Sequence, residues 1–392
     1  MSDASAITAE MARIDERFGR LSEEYEQRRE AARAAVVRWE WYSGDAFDLR
    51  PLFYERHFGK PGRRLDERPP ADTDHERIGF DADGRPVVLE ENSGFLGEVS
   101  RETFRVHGEG RVEEALYSAG GDPIYLHEYR YEGGRIRSAW MVTANGVTHE
   151  EYRYTGESVT ELVVQQGGER GRPGERDVSV EPVRTYRASY DDGVLTRLGI
   201  VSRDGDDVMT PIYERPPADF TIDAAYEAVR RELVARIPQT VAELASENPA
   251  YCVALAYFSE PGPCMVYVGF EDAREELLST PDGKDWVWNA ADMSGGIEPD
   301  LSAVEDTARL LFQELTLADA DDETARPGTE RNRELVCEVA KELNSVDWSS
   351  VLPVTDDFVV YATDMELVDL DTNMAYCVPQ SLLDAFHSRG LL

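Results

Sequence analysis

Two histidines of this chain each precede a glutamate in a tyrosine-rich stretch, the arrangement closest to acid–base chemistry. His127 is followed by Glu128, and His149 by Glu150. An imidazole and a carboxylate can act together as base and acid when both reach the same substrate atom. Successive strand residues point to opposite faces, so the strand register decides whether these groups meet. The favoured interpretation is that they are polar residues of an exposed sheet. The alternative is a hydrolase-like enzyme whose catalytic His127, His149 and Glu128 lie between two domains.

A second group of side chains indicates binding rather than catalysis. Trp286 and Trp288 occupy alternate positions, which on a strand would place both on one face. Such a face is either hydrophobic core, the commoner case for large aromatics, or the aromatic anchor of an interface. We name six candidate binding residues for this region: Trp286, Trp288, Asn289, Asp292, Tyr361 and Asp364.

Motifs for metals, cofactors and nucleophiles are missing from the sequence. Asp369, Asp371 and Asn373 have the spacing of the first three ligands of an EF-hand loop, but Met374 replaces the required glycine and Gln380 the bidentate glutamate. No phosphate-binding loop, dinucleotide fingerprint, serine elbow or zinc-protease motif occurs. We therefore predict no metal site, no cofactor and no catalytic residue.

Charge is the strongest compositional feature. The 392 residues include 78 acidic and 41 basic side chains, a formal charge of −37. This charge repels nucleic acids and anionic membranes and attracts basic proteins. The alternative is that acidity serves only solubility. The sequence has no signal-peptide pattern and no apolar run of about 20 residues, and its four cysteines are scattered without metal-ligand spacing. These observations predict a cytoplasmic protein that binds neither membrane nor nucleic acid.

The hydrophobic pattern divides the chain into three parts and predicts an α+β fold. Residues 1–38 form an amphipathic helix, in which Met11, Ile14, Phe18, Leu21 and Tyr25 recur at helical spacing. We expect this seam to pack on the body of the protein, with a homodimer through the helix as the alternative. Residues 39–215 alternate with a period of two, as in antiparallel strands. Residues 220–392, after a proline pair, form a separate α+β domain.

The elements of these two domains follow from turn signals and periodicity. The predicted strands are 87–89, 103–106, 125–129, 160–164, 198–201, 251–258, 264–269 and 357–362. One predicted helix begins near 221–223, and three further helices cover 301–317, 330–343 and 379–388. Loops rich in glycine or charge are expected at 165–175 and 319–323.

A short phrase of aromatic residues around an acidic or glycine turn repeats through the second part. It reads Tyr129-Arg-Tyr-Glu-Gly-Gly-Arg-Ile136 and Tyr186-Arg-Ala-Ser-Tyr-Asp-Asp-Gly-Val-Leu195. Asp-Gly and Gly-Gly supply the positive φ angles of tight hairpin turns. Over residues 78–205 the phrases resemble the tyrosine-aspartate (YD, or Rhs-type) repeat, in which each copy adds a hairpin to a long antiparallel sheet. The copies are too few to close a shell, so the encapsulating role of that family does not carry over.

The third part also carries a resemblance. Its order of a helix, the strand Tyr251-Cys-Val-Ala-Leu-Ala-Tyr-Phe258, the segment Trp286-Val-Trp-Asn-Ala-Ala-Asp-Met293, two helices, the strand Asp357-Phe-Val-Val-Tyr-Ala-Thr-Asp364 and a closing helix after Val378 is similar to an uncharacterised bacterial domain. Relatives of that domain occur among immunity and accessory proteins near polymorphic-toxin loci. The resemblance covers about residues 220–392 and implies no catalytic residues.

Together these observations predict a non-enzymatic cytosolic interaction protein. The resemblances imply an immunity or accessory factor of a bacterial toxin system, and the charge implies a basic protein partner. Because salt screens such attraction, the binding should weaken as ionic strength rises.

Overall fold

The computed structural model describes residues 4–167, 181–201, 209–244, 246–319 and 327–392. The chain divides into two compact units, Met1–Arg215 and Pro216–Leu392. Both helices and strands are present, including an N-terminal helical region, a long antiparallel meander and a separate sheet with helices, so the α+β prediction holds at this level. The predicted loops at 165–175 and 319–323 lie mostly outside the described residues. None of the helices in the described part of the chain is both long and apolar enough to cross a membrane.

The first unit is built on an antiparallel sheet, which has thirteen strands among the described residues. Apart from the start, where β1 lies between β3 and β2, each strand pairs with its neighbours in sequence. Gly133 and Gly134, at φ of 58° and 80°, close one of the predicted hairpins. The strands are β1 (Arg38–Tyr42), β2 (Arg64–Leu65), β3 (His75–Phe80), β4 (Pro86–Ser93), β5 (Glu98–Gly108), β6 (Arg111–Ser118), β7 (Pro123–Glu132), β8 (Arg135–Thr143), β9 (Gly146–Thr155), β10 (Ser158–Gly167), β11 (Glu181–Asp191), β12 (Val194–Val201) and β13 (Met209–Glu214).

Two helices, rather than the single predicted one, cover one face of this sheet. They are α1 (Ala4–Gly19) and α2 (Leu21–Ala35). The seam residues Met11, Ile14 and Phe18 are buried against sheet residues such as Phe104 and Leu126. The seam therefore docks within the unit, and a dimer formed through it would have to displace this contact.

The connection between β1 and β2 covers part of the opposite face. We call residues 43–63 the crossing segment; it contains the short helix α3 (Phe53–Arg56). Leu49 and Leu52 pack on a cluster that includes Tyr129 and Tyr152. Both faces of the meander are thus at least partly covered, which explains why polar side chains on the strands are buried.

In the described residues of the second unit, a four-stranded sheet has the order β16-β15-β14-β17, with β14 and β17 parallel. Its core is almost wholly apolar and fills the space between sheet and helices. The predicted strands and helices are present with shifted ends. α5 and β16 lie in segments without a prediction, and α8 is a helix where a solvated turn at the end of a strand was expected. The elements are α4 (Ile222–Glu243), β14 (Ala250–Tyr257), β15 (Met265–Phe270), α5 (Glu271–Leu278), β16 (Ser294–Ile297), α6 (Glu305–Asp319), α7 (Pro327–Leu343), β17 (Val354–Asp364), α8 (Leu370–Cys377) and α9 (Gln380–Arg389).

Candidate functional site

A pocket of about 420 Å³ in the second unit gathers three of the six predicted binding residues. It lies where β14 and β15 meet the beginning of α5 and the irregular segment that follows this helix. We call it the Trp286 pocket. Its lining residues are Leu244, Ser246, Asn248, Tyr251, Val268, Gly269, Phe270, Asp272, Ala273, Leu277, Trp286, Asn289, Asp292, Met293 and Ser294.

Trp286 forms a half-exposed wall of this pocket. It ends a 3-10 turn, Gly283–Trp286, and 50% of its surface is accessible to solvent. The prediction that Trp286 and Trp288 share a strand face is therefore wrong. In a helical turn, residues two positions apart point in widely different directions, whereas in a strand they would align. Trp286 is therefore accessible to a ligand, whereas Trp288 is part of the core.

Trp288 and Tyr361 belong to the core. Trp288 is 3% exposed, and its indole N–H donates to the carbonyl oxygen of Leu391 at 2.6 Å. The hydroxyl of Tyr361 donates to the carbonyl oxygen of Trp288 at 2.7 Å, and burial raises the Tyr361 pKa well above its usual value. Asp364 ends β17 and accepts a hydrogen bond from the Val368 amide at 3.1 Å. These three residues do not line the pocket.

Asn289 and Asp292 form one polar wall of the pocket. The side-chain oxygen of Asn289 caps a second 3-10 turn, Ala290–Asp292, by accepting from the Ala291 amide at 3.2 Å. Its amide nitrogen donates to a carboxylate oxygen of Asp292 at 2.8 Å. The cap fixes Asn289, and Asn289 in turn holds the Asp292 carboxylate.

Asp272 supplies a second carboxylate, which was not among the predicted binding residues. It lies in the first turn of α5, where its side chain accepts from the Ala273 amide at 2.9 Å. The side-chain amide of Asn248 donates to its other oxygen at 2.6 Å. An acidic residue at a helix start is an ordinary stabilising feature, so only recognition of the short α5 could have pointed to it.

The pocket therefore suits a cation. Asp272 and Asp292 are exposed, and neither forms an ion pair with a residue in the described part of the chain. The described lining residues include no lysine, arginine or histidine. A guanidinium or ammonium group could lie against the Trp286 indole and donate hydrogen bonds to both carboxylates.

The strand register separates the predicted acid–base residues. Glu128, Trp140 and His149 are cross-strand neighbours on the helix-covered face. His127 pairs with Glu114 and Met141 and so points to the opposite face. The three candidates, His127, His149 and Glu128, do not converge on one point.

Each of these side chains has a partner within the first unit. The Nδ1 atom of His127 lies 3.1 Å from Glu114 and 2.9 Å from the Tyr129 hydroxyl. His149 stacks on Trp140 with ring centroids 3.9 Å apart, and burial lowers its pKa. Glu128 forms an ion pair with Arg13 at 2.8 Å. These contacts hold the sheet and the helix α1 together.

Metal ligands are not assembled in the described part of the chain, where no group of three or more His, Cys, Asp or Glu side chains could hold an ion. In the segment with partial EF-hand spacing, Asn373 is buried in α8 and donates to the Tyr257 hydroxyl at 2.8 Å.

Comparison with protein-family models and with curated proteins gives no match to this chain. The resemblances to YD repeats and to toxin-associated immunity proteins therefore stay predictions, and the site has to be interpreted from its own geometry.

Proposed function

We propose that this chain is a non-enzymatic interaction protein that captures a basic protein partner, with the Trp286 pocket as a receptor for an arginine or lysine side chain. The observation that carries the proposal is the pocket itself, in which two exposed carboxylates lie with a half-exposed indole. The resemblance of the second unit to toxin-associated proteins suggests the biological setting, an immunity or accessory factor acting in the cytoplasm.

The chemistry favours a cationic group for three reasons. A cation over an indole face gains about 0.5–2 kcal/mol, depending on how well it is desolvated. Hydrogen bonds between a guanidinium and a carboxylate are charge-assisted and stronger than neutral ones. Because Asn248 and Asn289 already hold the carboxylates, little side-chain freedom remains to be lost on binding.

The net charge of −37 adds a long-range contribution. A strongly negative protein accelerates encounter with a basic partner, and salt screens this attraction. The pocket would then provide the local specificity that net charge alone lacks.

The test is a titration of the full chain with acetyl-Gly-Arg-Gly-amide and with its lysine and citrulline counterparts, followed by NMR of the indole N–H groups. We expect the arginine and lysine peptides to shift the Trp286 resonance and citrulline, which is uncharged, to leave it unchanged. Binding should weaken several-fold between about 50 and 500 mM salt. Equal binding of citrulline would contradict the proposal.

A matched pair of variants locates the binding. Asp272→Asn with Asp292→Asn removes two charges from the pocket and should weaken the arginine peptide at least tenfold. Glu275→Gln with Glu276→Gln removes two exposed charges from the same helix, α5, outside the lining, and should change affinity less than twofold. Equal losses in both variants would show that only net charge matters and that the pocket is not the receptor.

A further inference from the structure

One hairpin tip in the first unit differs from the other tips that the structure describes. Most tips of the meander in the described residues are polar and contain or adjoin a glycine: Asp83-Gly84, Glu109-Gly110, Gly133-Gly134, Ala144-Asn145, Gly156-Glu157 and Asp192-Gly193. The β4–β5 tip instead reads Gly94-Phe95-Leu96-Gly97, and Phe95 is 96% exposed and Leu96 57% exposed. Full exposure of a phenylalanine forgoes the favourable free energy of burying it.

This tip is held in place by its surroundings. The Gly97 amide donates to the Ser93 carbonyl oxygen at 2.7 Å, and the Gly94 amide donates to the Asp74 carboxylate at 2.6 Å. A Cβ atom on Gly94 would lie 2.6 Å from the Asp72 carbonyl oxygen, so the tip contacts the 72–74 loop closely. A held apolar projection loses less conformational entropy on binding than a free one does.

The surroundings of the tip are acidic. The supporting loop contributes the exposed carboxylates of Asp72 and Asp74. Glu90 and Glu91 of β4 are instead paired with arginines. Glu98 is exposed and follows the tip directly. Carboxylates beside an apolar projection repel an anionic membrane surface and complement a basic rim.

We propose that Phe95 and Leu96 are an anchor that inserts into an apolar cavity of a protein partner whose rim carries lysine or arginine. The two side chains supply the buried contact, and Asp72, Asp74 and Glu98 meet the rim. The anchor belongs to the first unit and uses no residue of the Trp286 pocket, so either proposal can fail without the other.

The experiment places a photoreactive residue at the tip. Full-length protein carrying Phe95→p-benzoylphenylalanine is irradiated in cell extract of the source organism, and the crosslinked protein is identified, purified and titrated against unmodified chain. We expect a single basic protein whose affinity falls about 10- to 100-fold with Phe95→Ser plus Leu96→Ser.

Val194→Ser is the matched control, because Val194 is an apolar residue, 48% exposed, at the β11–β12 tip. It should leave the affinity unchanged. Absence of a crosslink, a crosslink to a second copy of this chain, or a captured protein that binds the serine variant equally well would each overturn the proposal. Sedimentation of the chain with phosphatidylcholine–phosphatidylserine vesicles that depends on Phe95 would also overturn it, in favour of a membrane.

Discussion

The buried carboxylates on the sheet of the first unit and the carboxylates at the pocket of the second unit have different partners. In the first unit, Glu90, Glu102 and Glu128 are buried on the sheet and form ion pairs with arginines, several of them from α1 and α2. In the second unit, Asp272 and Asp292 are exposed at a pocket and accept hydrogen bonds from asparagines. Net charge alone therefore does not show which carboxylates can meet a ligand. The residue that each carboxylate contacts shows whether it is free to meet a ligand.

The helix-covered face of the meander shows how such pairing works. Arg33 bridges Glu90 and Glu102, while Arg17 and Arg28 contact Glu113. Burial opposes ionisation of Glu102 and Glu113, but their arginine partners outweigh it and lower both pKa values. These charges attach the helices to the sheet and are already neutralised.

The largest expected effect comes from breaking a buried pair in the first unit. The Nε atom of Arg105 lies 2.5 Å from a carboxylate oxygen of Glu114, and each side chain is under 5% exposed. Burial opposes ionisation of Glu114, but Arg105 and His127 outweigh it and lower its pKa. Arg105→Met should destabilise this unit by about 3–5 kcal/mol, because it leaves a buried carboxylate without its arginine partner.

The measurement is urea unfolding with hydrogen exchange resolved by segment, which separates the two units. Adding Glu114→Gln to Arg105→Met should recover part of the loss, since the remaining group is then uncharged. A loss below about 1 kcal/mol would mean that pairing is not what stabilises this acid.

A smaller effect is expected at the edge of the second sheet. Asn344 donates to the Val360 carbonyl oxygen at 2.7 Å and accepts from the Val360 amide at 2.8 Å, so its side chain acts as a neighbouring strand for β17. Asn344→Leu keeps the volume but leaves both backbone groups without this partner. We expect a loss of about 2 kcal/mol and faster exchange of the Val360 amide. The exposed neighbour variant Ser345→Ala should change neither.

The stability of the first unit should depend on pH, because the buried Glu76 carboxyl forms no ion pair with a described residue. Burial, with repulsion from Asp45 and Glu91, raises the pKa of Glu76 to about 8. The folded state therefore binds a proton that the unfolded state releases near pH 4.5. Its stabilising effect is fully present below that pH and is lost as pH rises towards 8.

Glu76→Gln should remove this dependence. The unfolding free energy of the variant minus that of the wild type should be about 1–3 kcal/mol larger at pH 8 than at pH 5. Unfolding curves at the two pH values measure it, with the exposed Glu67→Gln as control. Parallel pH profiles of wild type and Glu76→Gln would contradict the assignment.

The smallest stability effect is expected at the pocket. Asp272→Asn with Asp292→Asn keeps the shape of both side chains and removes charges that pair with no base in the described structure. The unfolding free energy should change by no more than about 0.5 kcal/mol. A loss comparable to that of Arg105→Met would show that these carboxylates are structural, and the contrast between the two units would disappear.

Much of the first unit could be predicted from local signals. Paired glycines such as Gly133 and Gly134 specify tight turns, and the spacing of Met11, Ile14 and Phe18 specifies a helix face, because both signals lie within a few residues. The crossing segment could not be predicted, since its contacts join residues far apart in the chain.

The site was harder to predict than the fold. Trp286 and Trp288 have the spacing of a strand, and only the 3-10 turn separates them, so an alternation of two residues is too short to decide between the two conformations. His127 and His149 look equivalent in sequence, yet they lie on opposite faces of the sheet. The register aligns His149 with Trp140 and Glu128, and Glu128 points away from the face of its neighbour His127.

By itself, the sequence determined the strand and helix periods, the turns and the excess of negative charge, all of which depend on residue type and short spacing. Only the tertiary structure decided which carboxylates are paired with arginine and which are exposed beside Trp286. The physical reason is that pairing and burial depend on distances between residues remote in the chain, and those distances are set when the strands and helices pack.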